Sequence, residues 1–535
     1  MNFLEKFAAN KVYVFIFLAL LTFGVYAPVL RGDYVFDDDT FIVNNQYVHD
    51  LNHVKQIYTH STTDGAGVPD GNFYRPNQSL CHAVIYSIIG SGATPQHVFS
   101  VLVHLLNVCL LFVFLGLLGF ANVPAFIAAT IFAVHPINTE AVAYISGLGD
   151  PLSMLFVLGA SISYLYYKKE RKIYYALFSL ASVGLALFTK ESSIMLIAVL
   201  LLVEVYQQPQ KVQIKKAEKR VLGMVLILCL GFLFLKFTVF NFTGNISLTH
   251  ADNAYTQSLW VRFITFCTIF PRYMGMLVFP AYQYLEKPYA AYISFEALGF
   301  GGLMMLVAFA YLFYNSFKAS RTLMLGIGIF FAFLIPVSGI IPSNAIYLEH
   351  WLYLPFIGVS IIIAMGVQQA NANAKKLIVI LALLLVLIYS AKTMVRNSQW
   401  ADAVKFYKNE IKYNKKSARI YNNLAMVLND KKEYNSAINY YSLAISVYDI
   451  YPQTHHNLAQ TYLQLNRVSD AIAEEYKALQ LQPSFMYSLQ SLYDIYSQLK
   501  DDKRAAEFSR YRVEVQQGKV PNWNEMRSNL HADKP

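Results

Sequence analysis

Charge is what this chain has least of. Only 14% of its 535 residues are Asp, Glu, Lys or Arg, against 56% hydrophobic, and the mean hydropathy is +0.37. A soluble domain carries nearer a quarter charged residues, so the chain as a whole cannot be one. Cysteine is equally scarce. Of the four present, Cys109, Cys229 and Cys267 lie inside apolar runs, which leaves neither a disulfide framework nor a zinc-ligand spacing. No P-loop, Gly-rich dinucleotide turn or nucleophile elbow is recognisable, which argues against nucleotide-dependent and serine-hydrolase chemistry. The first apolar run lacks a small-residue cleavage site and is followed by further apolar runs, so an anchor helix is expected there, not a removed signal peptide.

Aromatics, by contrast, are plentiful: 39 Tyr, 38 Phe and 4 Trp. They suit interfacial belts and helix packing in lipid. The formal charge of +10 is explained by basic loops facing a cytoplasm, and no nucleic-acid partner is expected. Apolar stretches of about 20 residues predict about eleven membrane helices. They fall near 12–30, 96–119, 122–137, 150–167, 173–189, 192–207, 220–240, 297–316, 322–342, 350–369 and 376–395. The stretch 260–285 is interrupted by Pro271, Arg272 and Pro280 and reads as a partly inserted or interfacial helix pair. Basic segments at Lys6 and Lys11 and within 167–172, 210–220, 316–321 and 373–376 all share one side if 260–285 returns to the side it came from. An integral membrane protein with these basic segments on the cytoplasmic side is therefore expected. Its first loop (31–95) and C-terminal region would then be external.

Beyond the last span a 34-residue period sets in. Leu424, Leu458 and Leu492 recur at that interval, as do Ala437, Ala471 and Ala505, while Ala444 and Ala478 mark a further register. This is the tetratricopeptide pattern, with small Ala where paired helices pack closely. The fold expected is all-α: a transmembrane domain (1–395), tetratricopeptide repeats forming an α-solenoid (396–516) and a flexible tail (517–535). The repeats imply a polypeptide or protein partner.

Polar residues collect where spans end on the external side. Asp37, Asp38 and Asp39 follow the first span; Arg75, His135, Glu140, Asp150, Lys190, Arg272, Glu349 and His350 occupy later helix ends. Charge near membrane depth is costly, so such groups line a cavity or pair with one another. Three adjacent carboxylates repel, which raises the pKa of at least one unless a cation compensates. A carboxylate so placed could take a proton from an acceptor hydroxyl, and the cations could bind a phosphate. The triplets at Asn77, Asn241 and Asn245 fit an N-glycosylation pattern that is frequent by chance.

Several longer stretches carry a family resemblance. "YVFDDDTFIVNN", "NFYRPNQSLCHAVIYSIIG", "AVHPINTEAVAYISGLGDPL", "LFTKESSIML", "YLEHWLYLPFIGVS" and "RNSQWADAVKFYKNE" resemble, in this order, the transmembrane and tetratricopeptide-repeat (TMTC) O-mannosyltransferases. Those are glycosyltransferases of the GT-C superfamily, and this chain is similar to a bacterial relative, which implies a bacterial inner membrane with the first loop and repeats on the periplasmic side. The resemblance implies a polyprenyl-phosphate-linked sugar as donor, with no cofactor and no divalent metal. It matches Asp37 and Asp38 to the family's paired acidic motif, and His135, Glu140 and Asp150 to its second external loop. Where the family often has Gly-Arg-Ala-Asp, this chain has Gly147-Leu148-Gly149-Asp150.

The expected function is inverting transfer of mannose or a similar hexose to a hydroxyl, on Ser or Thr of an exported protein. Asp37 or Asp38 is the expected catalytic base. Asp39, Arg75, His135, Glu140, Asp150, Lys190, Arg272, Glu349 and His350 are the expected substrate-binding set. Two other readings stand beside it: a non-enzymatic membrane-anchored repeat scaffold, and a ligase modifying a glycolipid or wall polymer.

Overall fold

The computed structural model describes residues 2–68, 73–208, 214–239, 253–287, 291–341 and 345–531. Two of the glycosylation triplets, at Asn241 and Asn245, lie outside the described residues. The chain divides into two compact units, Met1–Asp402 and Ala403–Pro535. Both are helical, and the described residues contain no strand.

Among the described residues of the first unit, seven helices are long and apolar enough to cross a membrane. Counting the pair Asn122–Val134 and Pro136–Ala143 as one span bent by 51° makes eight. The stretches expected near 173–189, 322–342 and 350–369 form shorter apolar helices, Ile173–Leu187, Arg321–Val337 and Phe356–Gln369. Ile145–Glu170 is the most enclosed of the seven and Ala297–Ala319 among the most exposed, with Met304, Val307, Tyr311 and Tyr314 facing outward. Outward-facing apolar side chains of this kind are what a lipid-exposed helix requires.

The expected helix pair at 260–285 is instead one continuous helix, Leu259–Val278, with Pro271 inside it. Proline removes the N–H that would bond the carbonyl of Cys267 and ordinarily breaks a helix. Here the glycine face of the Ala297–Ala319 helix closes over that site: a Cβ at Gly302 would collide with the Cys267 carbonyl and lie 2.9 Å from the Pro271 ring. Close packing by a neighbouring helix is how membrane helices tolerate an internal proline. By length and composition this helix is one of the seven that could cross a membrane. Its first turns meet Gly339, just beyond Arg321–Val337, where a Cβ would lie 3.3 Å from Arg262. Its last turns receive His135 on the Leu277 carbonyl at 3.1 Å and the Tyr389 hydroxyl on Val278 at 2.5 Å. Both ends of the helix are thus held by other elements of the unit.

The first loop is folded on its own small core of Phe41, Ile42, Val48, Ile57, Ala83 and Ile145. Its longest helix, Pro76–Ile89, starts with proline at the first position, where no N–H is needed. Asn77 is buried there, donating to the Leu185 carbonyl at 2.8 Å and accepting from the Tyr58 hydroxyl at 2.7 Å. That side chain is a clamp and cannot carry a glycan while folded.

The second unit is a stack of helix pairs. Ala403–Tyr413 precedes Ala418–Asp430 with Tyr434–Val447, Pro452–Gln464 with Val468–Leu481, and Met486–Gln498 with Asp502–Gln516. The periodic Leu424, Leu458 and Leu492 and the periodic alanines are buried. A further period appears in the backbone: Lys432, Asn466 and Lys500, again 34 apart, take positive φ of 63°, 56° and 59°. Each supplies the left-handed residue that closes one helix before the next begins. In the stretch expected as a tail, Trp523–His531 forms another helix, whose Met526 is buried against Tyr511 and its neighbours.

Candidate functional site

The aspartate loop is fixed by its middle member. Asp38 is fully buried and accepts three hydrogen bonds: from the Val35 N–H at 3.0 Å, the Ser146 N–H at 2.8 Å and the Ser146 hydroxyl at 2.5 Å. The Ser146 donors stand at the start of the Ile145–Glu170 helix, whose unpaired N–H groups favour a negative charge. Burial nevertheless raises the Asp38 carboxyl to about 7, opposed by those hydrogen bonds and assisted by the neighbouring Asp37. One residue earlier the chain turns at Phe36, with φ of 59°, rare for a side chain of this size. After that turn Asp37 is half-buried and Asp39 exposed.

From Ser146 a continuous set of polar contacts runs inward. The Ser146 carbonyl accepts from Gln78 Nε2 at 2.8 Å. A Cβ at Gly149 would sit 2.7 Å from Gln78 Oε1 and 3.8 Å from Arg75 Cδ, so this position admits almost nothing larger than glycine. Gln78 Oε1 is buried and accepts no hydrogen bond. Next along the helix, Asp150 pairs with Lys190 at 2.6 Å, both nearly inaccessible. Burial pushes the Lys190 ammonium below its usual range, with Asp150 opposing. Arg75 approaches Glu191 at 3.7 Å, and Lys236 reaches the other Glu191 oxygen at 3.0 Å. Burial alone would raise Glu191; Lys236 and Arg75 outweigh it and hold the carboxyl at about 2.

A second group joins this one. Glu140 Oε1 lies 2.5 Å from His350 Nδ1, whose Nε2 is 3.9 Å from Asp150. Burial drives His350 down to about 3; Asp150 opposes, while Lys190 and Arg75 reinforce. Glu349, also fully buried, accepts from Lys287 Nζ at 2.7 Å, Gln283 Nε2 at 3.0 Å and the Tyr284 N–H at 3.3 Å.

Of the residues singled out in the sequence, the structure therefore brings together Asp38, Arg75, Asp150 and Lys190, with Asp37 adjacent, and joins Glu140 and His350 to them through Asp150. Glu349 belongs to a neighbouring clamp with Lys287. Asp39 sits on the exposed rim. His135 is engaged with backbone at both ring nitrogens, toward Leu277 at 3.1 Å and Ile137 at 3.2 Å, and braces the bend between Asn122–Val134 and Pro136–Ala143. Arg272 lies on the Leu259–Val278 helix beside Tyr273, whose ring packs 4.5 Å from Tyr347. Leu148, standing where the family often has Arg, is buried with Val103 and Leu152. Sequence reasoning picks out Glu191 beside Lys190 at a helix end but misses Ser146, Gln78, Lys236 and Lys287. Among the described residues no group of three His, Cys, Asp or Glu side chains is arranged to hold a metal ion.

Fold and site together define a polytopic helical membrane protein with a charged cluster at one end and a tetratricopeptide unit. Residues 76–237 match the family model described as dolichyl-phosphate-mannose-protein mannosyltransferase, and 418–449 and 452–485 match tetratricopeptide repeats. The chain is 26% identical over 500 residues to human protein O-mannosyl-transferase TMTC3, covering 85% of this chain and 53% of that protein. Identity is also 26%, over 468 residues, to the Caenorhabditis elegans protein O-mannosyl-transferase F38B6.6, covering 84% of this chain and 65% of the relative. It reaches 34% over 143 residues of mouse protein O-mannosyl-transferase TMTC1, which is 26% of this chain and 15% of that one. The chain spans about half the length of the first of these relatives. Over most of its length the chain is therefore similar to the protein O-mannosyl-transferases of the TMTC group.

Proposed function

We propose that the chain is a membrane glycosyltransferase that moves mannose or a similar hexose from a polyprenyl-phosphate donor to a hydroxyl acceptor, without a metal ion. Asp37 takes the acceptor proton as the oxygen attacks the anomeric carbon, and the polyprenyl phosphate leaves with the bonding pair. Asp38 cannot share that role while its carboxylate is enclosed by three donors; it positions Asp37. The observation that carries the reading is the convergence of Arg75, Lys190 and Lys236 on Glu191 and Asp150 beside the Asp38 anchor. Cations preorganised in a poorly solvated site stabilise the charge that develops on a departing phosphate. Glu140 and Asp150, tied by His350, orient sugar hydroxyls or hold the first loop in place. The repeats present a stacked helical surface for the acceptor polypeptide. Catalytic loop and repeats face the periplasm in this scheme.

The test is Asp37→Asn in the purified full chain, with radiolabelled polyprenyl-phosphate mannose and an envelope extract. Loss of a general base lowers transfer by roughly 10²–10⁴-fold, with the melting temperature unchanged. Full transfer by the variant would falsify the assignment. Unchanged activity in EDTA is expected, and inhibition would recast the aspartates as ligands.

A further inference from the structure

At the opposite end of the membrane unit lies a cavity that the proposed transfer reaction does not use. The helix that begins beside Asp150 ends at Glu170, about 30 Å away at 1.5 Å per residue. There Leu117, Leu165, Lys168, Lys169, Arg171, Gln207, Gln208, Lys215 and Glu218 enclose a space of about 570 Å³. Four helix ends meet around it: those at Leu117, Glu170 and Gln207, and the start at Lys216.

Its charges are not equivalent. Lys168 is bound to the fully buried Glu204 at 2.6 Å, and that carboxylate also accepts from the Tyr164 hydroxyl at 2.6 Å and Gln208 Nε2 at 3.0 Å. Arg171, turned by its own left-handed backbone (φ of 60°), reaches Glu218 at 2.7 Å. Lys169 and Lys215 are exposed and make no ion pair among the described residues. Glu218 is only 2% exposed, and its second oxygen, Oε2, is buried with no hydrogen-bond partner among the described residues. The cavity thus offers unpaired ammonium groups beside one unsatisfied buried acceptor, under an aliphatic wall of Leu117 and Leu165. A buried acceptor left without a donor is costly, and basic residues at this depth meet lipid headgroups.

We propose that this cavity binds an anionic phospholipid whose headgroup carries hydroxyls. Lys169 and Lys215 hold the phosphate, a headgroup hydroxyl donates to Glu218 Oε2, and an acyl chain runs along Leu117 and Leu165. The site is separate from the transfer site, and its occupancy does not depend on the reaction assigned there.

The experiment reconstitutes the full chain in nanodiscs of phosphatidylcholine doped with phosphatidylglycerol or phosphatidylethanol, and counts retained lipid by native mass spectrometry. Phosphatidylglycerol should be retained in preference to phosphatidylcholine. Lys169→Ala with Lys215→Ala should weaken that retention about tenfold, equivalent to about 1.4 kcal/mol. Both lysines are exposed, so an unchanged melting temperature shows that the variant is folded. Retention unaffected by the double variant overturns the site. Equal or better retention of phosphatidylethanol, which has the same single charge but no headgroup hydroxyl, overturns the role of Glu218. Glycerol 1-phosphate binding as well as the lipid does, in detergent, overturns the lipid as its occupant.

Discussion

Replacing Ser146 by alanine tests how the aspartate loop is held. The variant removes the hydroxyl 2.5 Å from Asp38 and leaves the two backbone donors. A hydrogen bond to a charged group contributes about 1.5–3 kcal/mol net, and one between neutral partners about 1 kcal/mol. The sign of the pH dependence follows from the raised carboxyl. Asp38 titrates at about 7 in the folded chain and in the ordinary carboxylate range when unfolded. The folded state therefore keeps a proton that the unfolded state has released, and stability falls as pH rises through that window, then levels off above it. Without the hydroxyl the folded carboxyl rises further, so the falling window extends upward. The deficit of Ser146→Ala should be about 1.5–3 kcal/mol near pH 8.5, where Asp38 is ionised, and about 1 kcal/mol near pH 5.5. Melting of the detergent-solubilised chain, followed by circular dichroism at both pH values, reads this directly. A deficit that is absent, or the same at both pH values, refutes the reasoning.

Lys287→Met strands the fully buried Glu349 carboxylate and should cost about 3–5 kcal/mol. The added change Glu349→Gln should recover most of that, with folded yield on size exclusion as the readout. Gly302→Val drives a side chain into the Cys267 carbonyl and should destabilise by at least about 1–3 kcal/mol. Gly301→Val, which meets open space, should cost far less in the same melt. In the repeats, burial lowers His455 but hydrogen bonds to Glu474 and Asp449 overcome it and raise its pKa above the ordinary value. Its contribution is therefore complete below about pH 6.5 and fades as pH rises through the folded pKa. Protection factors over 452–481 in the full chain, corrected for the intrinsic pH dependence of amide exchange, should fall at alkaline pH, and His455→Gln should abolish that fall.

The repeats were legible because their period is written in residue types that pack: Leu424, Leu458 and Leu492 announce themselves at equal intervals. The spans were legible from apolar length, and the charged helix ends from the cost of charge at depth. What the sequence hid was partnership at a distance. Ser146 is an ordinary hydroxyl until the fold carries it across 108 residues to Asp38. Lys236 and Lys287 sit next to apolar or aromatic stretches and read as boundary charges, yet each closes on a carboxylate. His135 looked like a ligand because histidines at helix ends often are; a bend in the backbone consumes both its nitrogens. Pro271 looked like a break because a helix by itself cannot spare the N–H, whereas one sealed by Gly302 can.

The tie between Asp38 and Ser146 bears on how substrates arrive. A loop pinned to the first turn of a membrane-crossing helix has no freedom to open and shut like a flap at that point. The half-buried Asp37 is then a fixed post, one residue from its anchor. Under the proposed transfer, an acceptor hydroxyl is delivered to it by movement of the acceptor itself. In that scheme acceptor geometry, more than any loop closure, sets which hydroxyls are within reach.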